Sequence, residues 1–314
     1  MKAFALTAAD RPAAITELPD PDLMPDGIRI RVRAASVNGF DVFEANGFLI
    51  GMMEHGFPTV IGRDFAGVVE AVGNGRTDVV AGDEVIGFIP ATPPLHDGTY
   101  ADQITSTNLV LARKPARLSF EAAAAIPLAG ATALDAVEAV EVGPGDVVLI
   151  AGATGGVGSF AVQLAAQRGA TVIATARPGA EEAFVRSLGA SDVVDYTDGD
   201  VPGAIRAEHP DGVTALIDLV NRDAAFPPMA DLVRDGGRIA TTLGAADVDA
   251  LARRSVRATN VNGAPTSETL TILADAAAAG TLQVKVQRTF RLDDASEALQ
   301  VFSGGTLGKL VIVP

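Results

Sequence analysis

The 314-residue chain is 48% hydrophobic and 20% charged, which supplies a large core and exceeds the usual length of one domain. A formal charge of -15 and a pI of about 4.5 oppose attraction to phosphate backbones and anionic lipid, which argues against nucleic acid and membrane surfaces as partners. With no cysteine and three histidines (His55, His96, His209), disulfides, thiolate catalysis and cysteine-rich zinc sites are excluded.

The opening "MKAFALTAAD" reads as an edge strand, because Asp10 and Arg11 interrupt the apolar run before a signal-peptide core is complete. In "GIRIRVRAASV", Ile28, Ile30, Val32 and Ala34 fall on one side and Arg29, Arg31 and Arg33 on the other, the pattern of a strand with one wet face. "AGVVEAVG" and "DEVIGFIP" are further short apolar runs bounded by turn residues, consistent with a compact barrel of antiparallel strands. No helix longer than two turns is expected before about Ser119. There the texture changes: "SFEAAAAIPLAGATALDAVEAV" starts with a capping serine and runs at helical period, with Pro127 predicted to kink or divide it.

After "VGPGD", the runs "VVLIAG", "TVIATA", "DVVDY", "TALIDLV", "GRIATTLG" and "VRATNVN" alternate with helix-length segments. Parallel strands need such crossovers, so a doubly wound sheet of about six strands is expected. Val147 to Gln167 is uncharged and long enough for a membrane span, but its clustered glycines would fray a spanning helix and no basic flank orients it, so none is expected. The tail holds a long helix candidate, "SETLTILADAAAAG", then "TFRL", "DDASEALQVFSGG" and a last strand, "LVIVP".

Within "GATGGVGSFAVQLAAQ", Ala153, Gly155 and Gly158 take the three glycine places of G-x-G-x-x-G between a strand and a helix. Gly155 lets main chain approach a pyrophosphate, Gly158 lets helix pack on strand, and the helix N-terminus offers free N–H groups to the anion. The second strand ends Thr175, Ala176, Arg177, with no acid there to hold a ribose 2′-OH or repel a 2′-phosphate. Arg177 either pairs with that phosphate, which favours NADPH, or is a solvated loop charge.

"SVNGFDVFEANGF", "FPTVIGRDFAGVVEAVG", "AGDEVIGF", "DGTYADQ", "AAAAIPLAGATALDAV", the nucleotide loop and "GGTLGKLVIVP" follow one another across essentially the whole chain. In this order they resemble the medium-chain dehydrogenase/reductase superfamily, in particular its zinc-free quinone oxidoreductase branch. The resemblance implies an α/β protein in which a Rossmann doubly wound parallel sheet (119–263) is combined with a GroES-like β-barrel catalytic domain (1–118, completed by 264–314). It implies a cleft at their junction, with the nicotinamide near Asn38, Asp41, Thr132 and Lys309. The cofactor-binding set it suggests, together with the loop and second strand, is Thr132, Ala153, Thr154, Gly155, Gly156, Val157, Gly158, Arg177, Tyr196, Leu243 and Lys309, with NADPH as the cofactor.

In zinc-dependent relatives a cysteine stands in the place of Asn38 and a histidine in that of Arg63. This chain has neither, and it lacks the structural-zinc lobe, so no metal is expected. Many quinone reductases of the branch carry tyrosines after the Asn-x-x-Asp motif, where this chain has Phe43 and Phe48 or Leu49. Tyr196 matches a tyrosine that in relatives lies near the adenosine ribose phosphate, and packing on the sheet is its alternative. Tyr100 reads as a packing residue at a turn. Asp41 is either catalytic or a helix cap, Arg63 and Asp64 are expected to form an ion pair, and His55 and His96 lack a visible orienting partner.

Hydride transfer to a simple ketone concentrates charge on one oxygen and calls for zinc or a positioned acid. A quinone or conjugated enone spreads that charge, so orientation suffices. The expected function is therefore an NADPH-dependent, zinc-independent reductase of quinones or α,β-unsaturated carbonyls, with an apolar small-molecule acceptor and Asn38 as donor to its oxygen. The rivals are an enoyl-thioester or biosynthetic tailoring enoyl reductase and a catalytically idle NADPH-binding sensor or structural protein. The resemblance suggests a homodimer through the sixth Rossmann strand near Val256 to Val261, and the expected compartment is the cytoplasm.

Overall fold

The computed structural model describes all 314 residues. In chain order the elements are β1 (Lys2–Leu6), β2 (Ala14–Glu17), β3 (Ile28–Ser36), α1 (Gly39–Ala45), β4 (Thr59–Val60), β5 (Asp64–Val72), β6 (Glu84–Phe88), β7 (Gln103–Ser106), β8 (Val110–Arg113), α2 (Phe120–Ala124), α3 (Pro127–Ala139), β9 (Val147–Ala151), α4 (Gly156–Gln167), β10 (Thr171–Thr175), α5 (Ala180–Ser187), β11 (Asp192–Val194), α6 (Val201–Glu208), β12 (Val213–Asp218), α7 (Phe226–Ala230), β13 (Val233–Thr241), α8 (Val248–Ala252), β14 (Arg257–Asn260), α9 (Ser267–Ala279), β15 (Val286–Arg291), α10 (Ala295–Ser303) and β16 (Lys309–Val313). No helix is long and apolar enough to cross a membrane.

They sort into two compact units, Met1–Leu128 with Pro265–Pro314, and Ala129–Ala264. The first break falls after Leu128 rather than after residue 118, because α2 packs on β3 and β5, burying Ala123 and Ala124. The Leu128 N–H also donates to the Asp64 carboxylate at 3.0 Å. Ser119 caps α2 by accepting from the Ala122 N–H, and Pro127 divides the helical run by opening α3, where its missing N–H costs nothing.

The first unit holds a three-stranded sheet, β2-β1-β4, and a larger one, β15-β16-β3-β5-β6-β8, with β7 also paired to β3. β1 is central, not the edge strand its position at the chain start suggested: β2 and β4 pair antiparallel along its two sides, and Ala3 to Leu6 are all buried. In β3 the isoleucines and Val32 are buried while Arg31 and Arg33 face solvent, as the alternation predicts. Register shifts opposite β5 break that alternation, and Ala34, Ala35 and Ser36 are all buried. β16 then pairs Val311 with Ser36 and Ile312 with Ala35, which sets Lys309 beside the turn from β3 into α1.

The second unit is a six-stranded parallel sheet in the order β11-β10-β9-β12-β13-β14, with every strand pair parallel. β12 is buried along its whole length and β9 almost so, as continuous apolar strands are when helices cover both faces. The order reverses direction beside β9, and the α4 connection begins at the end of that strand, the place where open α/β sheets bind ligands. Fold class is therefore α/β, a Rossmann sheet with a GroES-like unit.

Candidate active site

The turn from β3 into α1 carries a polar cluster in an otherwise apolar interior. Ser36, Asn38, Asp41, Glu44, Arg63, Asp64 and Lys309 are all buried. Asp41 caps α1, its Oδ2 accepting from the Asn38 N–H at 2.8 Å, and the Tyr100 hydroxyl lies 3.1 Å from the same oxygen. The two donors occupy Oδ2, and Oδ1 has no partner. Burial, reinforced by the neighbouring Asp64 carboxylate, pushes Asp41 up to about 7, and a proton taken up there sits on the free Oδ1. Tyr100 is a packing residue, as expected, but its hydroxyl also ties the turn to Asp41, and burial together with Asp41 drives its pKa well up.

Asn38 is held by both ends of its amide. Lys309 Nζ donates to Oδ1 at 2.5 Å and to the Val37 carbonyl at 2.9 Å, while Nδ2 donates to Asp64 Oδ2 at 2.9 Å. These contacts fix which end of the amide is nitrogen, and they leave Nδ2 one further hydrogen. Asp64 also accepts from Ser36 Oγ at 2.9 Å and lies 3.9 Å from Lys309 Nζ. Burial raises the Asp64 pKa against the pull of Lys309, Asn38 and Ser36, and burial lowers that of Lys309.

Arg63 does not pair with Asp64, correcting the expectation. Neighbouring residues entering a strand point to opposite sides, so Arg63 turns to Glu44 Oε1, to the Asp97 carbonyl at 3.1 Å and to the Phe40 ring. Burial pushes Glu44 up to about 7 even so. Neither histidine joins this cluster: His55 Nδ1 lies against the Met53 carbonyl and His96 Nδ1 against Asp97, both sequence neighbours.

The nucleotide loop follows β9. Gly152 adopts φ +82, a left-handed backbone that favours glycine, and its N–H donates to Thr175 Oγ1 at 3.0 Å. Ala153 is buried, and Thr154 leads to Gly155, which caps α4 with extended backbone. A Cβ on Gly155 would meet no atom nearer than 3.8 Å, whereas one on Gly158 would lie 2.1 Å from the Gly152 carbonyl oxygen. Gly155 thus leaves room over the N–H groups of Gly156, Val157 and Gly158, and Gly158 is needed for helix and strand to meet. These residues fit a pyrophosphate bound through main chain.

Beyond β10, the structure brings Arg177 and Tyr196 together through a residue that sequence reasoning missed. Glu181, in the first turn of α5, accepts from Arg177 Nε at 2.7 Å and from the Arg177 backbone N–H at 2.8 Å. The Tyr196 hydroxyl lies 3.4 Å from the same carboxylate. An acid therefore does stand at the end of the second strand, supplied from the helix. The signal was the spacing of four between Arg177 and Glu181 across "RPGAE". Thr132 is buried within α3, and Leu243 follows β13 with its N–H 3.3 Å from Thr241 Oγ1.

Two family models match the chain: the alcohol dehydrogenase GroES-like domain over residues 24–110 and the zinc-binding dehydrogenase domain over 156–259. A quinone oxidoreductase structure from Coxiella burnetii superposes with a TM-score of 0.90 at 31% identity, covering 100% of this chain and 99% of that one. The chain belongs to the medium-chain dehydrogenase/reductase superfamily, in its quinone oxidoreductase-like branch. Other members of the superfamily agree. A trans-enoyl reductase of Aspergillus terreus is 34% identical over 72% of this chain and 74% of its own length. An NADPH-dependent alkenal/one oxidoreductase of Arabidopsis thaliana is 31% identical over 72% of this chain, which spans 57% of that relative. The segment matched by the zinc-binding dehydrogenase model contains no cysteine and one histidine, His209.

Proposed function

We propose that the protein is an NADPH-dependent, zinc-independent reductase that delivers hydride to a quinone or an α,β-unsaturated carbonyl. The observation that carries this reading is the amide of Asn38, oriented by Lys309 and Asp64 so that its remaining N–H is the donor offered to an acceptor oxygen. NADPH, when bound, supplies the hydride. The loop from Ala153 to Gly158 binds the pyrophosphate, Arg177 meets the 2′-phosphate, and Tyr196 stands beside Arg177 near the ribose.

A neutral amide stabilises a developing oxyanion less than a metal or a cationic acid does. Asp41 adds no such acid, because its caps and its depth commit it to holding the start of α1. No three His, Cys, Asp or Glu side chains converge in a way that would hold a metal ion. These residues suit an acceptor that spreads the incoming charge over a conjugated system and takes its proton from water. Lys309 acts as a positioning residue, with its ammonium committed to Asn38 and the Val37 carbonyl. The likeness to a trans-enoyl reductase favours a second acceptor for the same hydride step, a conjugated enoyl thioester.

Following reduced-nicotinamide absorbance with NADPH and NADH against small quinones, enones and enoyl-CoA tests the reading. Turnover with a conjugated acceptor is expected, and Asn38→Ala should lower kcat with an enone by about a hundred-fold. Tight NADPH binding without turnover of any acceptor would identify an idle nucleotide-binding protein. For assembly we propose a homodimer through β14, which is the last strand of its sheet and leaves Arg257, Thr259 and Asn260 exposed. A monomer in sedimentation velocity would overturn that.

A further inference from the structure

We infer that Glu181 sets the cofactor preference of this protein by competing, from within the chain, with the 2′-phosphate of NADPH for Arg177; the inference rests on the NADPH reading above. Arg177 is an exposed side chain whose Nε edge is already bound. Glu181 Oε1 takes Nε at 2.7 Å and pairs with Nη2 at 2.5 Å, and Oε2 takes the Arg177 backbone N–H at 2.8 Å. The carboxylate is fixed more firmly than its partner: Glu181 has 10% of its side chain exposed and Arg177 60%. Glu181 also sits in the first turn of α5, where the helix dipole favours its charge.

Burial works against ionisation of Glu181, but hydrogen bonds from the Arg177 side chain and backbone outweigh it and hold its pKa below the usual carboxylate value. The acid is therefore charged wherever NADPH is. A 2′-phosphate brought to Arg177 meets a guanidinium already neutralised on one edge and a like charge behind it, with Asp195 adding to the negative field on that side. Glu181 and the Tyr196 hydroxyl, 3.4 Å apart, are in turn the polar groups that suit the uncharged ribose hydroxyl of NADH. Arg177 favours the phosphate and Glu181 subtracts from that preference, so the site accepts both nucleotides with a moderate bias to NADPH. Substrate specificity for the dinucleotide thus resides in the pair, not in the arginine alone.

Calorimetric titration with NADPH and NADH of the wild type, Glu181→Gln, Arg177→Ala and the double variant tests this, with far-UV circular dichroism as the check on folding. Glu181→Gln is expected to raise the affinity ratio of NADPH over NADH about five-fold, the scale of an exposed ion pair. That gain should vanish in the Arg177→Ala background. An unchanged or reduced ratio in folded Glu181→Gln, with Arg177→Ala still losing NADPH affinity, would overturn the inference and leave the NADPH reading standing. An Arg177→Ala variant with unaltered preference would overturn both.

Discussion

Arg63–Glu44 in the first unit and Arg177–Glu181 in the second join the same two side-chain types, yet only the second has an arginine open to water. The Arg63 and Glu44 side chains are 2% and 0% exposed, whereas Arg177 is 60% exposed. In the interior, each charge is tolerated only because its partner is present, and burial still drives Glu44 and Asp41 up to about 7. At the edge of α5, water reaches Arg177, and hydrogen bonds from Arg177 keep the largely covered Glu181 ionised despite its burial. The comparison teaches that the first pair is a commitment of the fold, while the second remains available for exchange with a ligand.

Removing one buried partner gives the largest expected effect. Arg63→Met leaves the Glu44 carboxylate enclosed and unpaired and should cost about 3–5 kcal/mol in urea unfolding of the first unit. Adding Glu44→Leu should recover much of that loss, and a double variant as unstable as the single one would break the distinction between the two pairs.

A second effect is a pH dependence from the interior cluster. Asp41 binds its proton more tightly folded (about 7) than an ordinary aspartate does (3.8). Its contribution is complete below the lower value and is lost as pH rises through the higher one. Between about pH 4 and about pH 7 the wild type should therefore lose stability relative to Asp41→Asn, at up to about 1.4 kcal/mol per pH unit. Parallel pH curves for the two proteins would show that Asp41 is already charged in the folded state.

The smallest effect belongs to the edge of α5. Arg186 and Glu182 form an exposed i, i+4 pair at 2.9 Å on that helix. Arg186→Ala should change stability by only about 0.3–0.5 kcal/mol, less still in high salt. A cost as large as that of Arg63→Met would mean that exposure does not separate the two classes of pair.

Much of the site was legible wherever its chemistry is local. The glycine loop announces itself because a strand, a tight turn and a helix N-terminus lie within one short stretch, and the structure gives Gly155 its open face and Gly158 its close contact. Asp41 as a cap was likewise readable, since donor and acceptor are three residues apart. Reading Arg63 with Asp64 failed because adjacency along an extended chain puts side chains on opposite faces. Reading Arg177 as unopposed failed because the helix boundary at Ala180, which aims Glu181 back at it, is set by packing and turn geometry.

By itself the sequence determined the alternation of β3, the six parallel strands and the loop that opens α4, because side-chain period and backbone sterics act between near neighbours in the chain. Only the tertiary structure decided that Lys309 reaches Asn38, that Glu44 rather than Asp64 answers Arg63, and that β1 lies between two partners. Those outcomes depend on sheet register and on the return of the chain end as β16, which bring together groups that no local spacing relates.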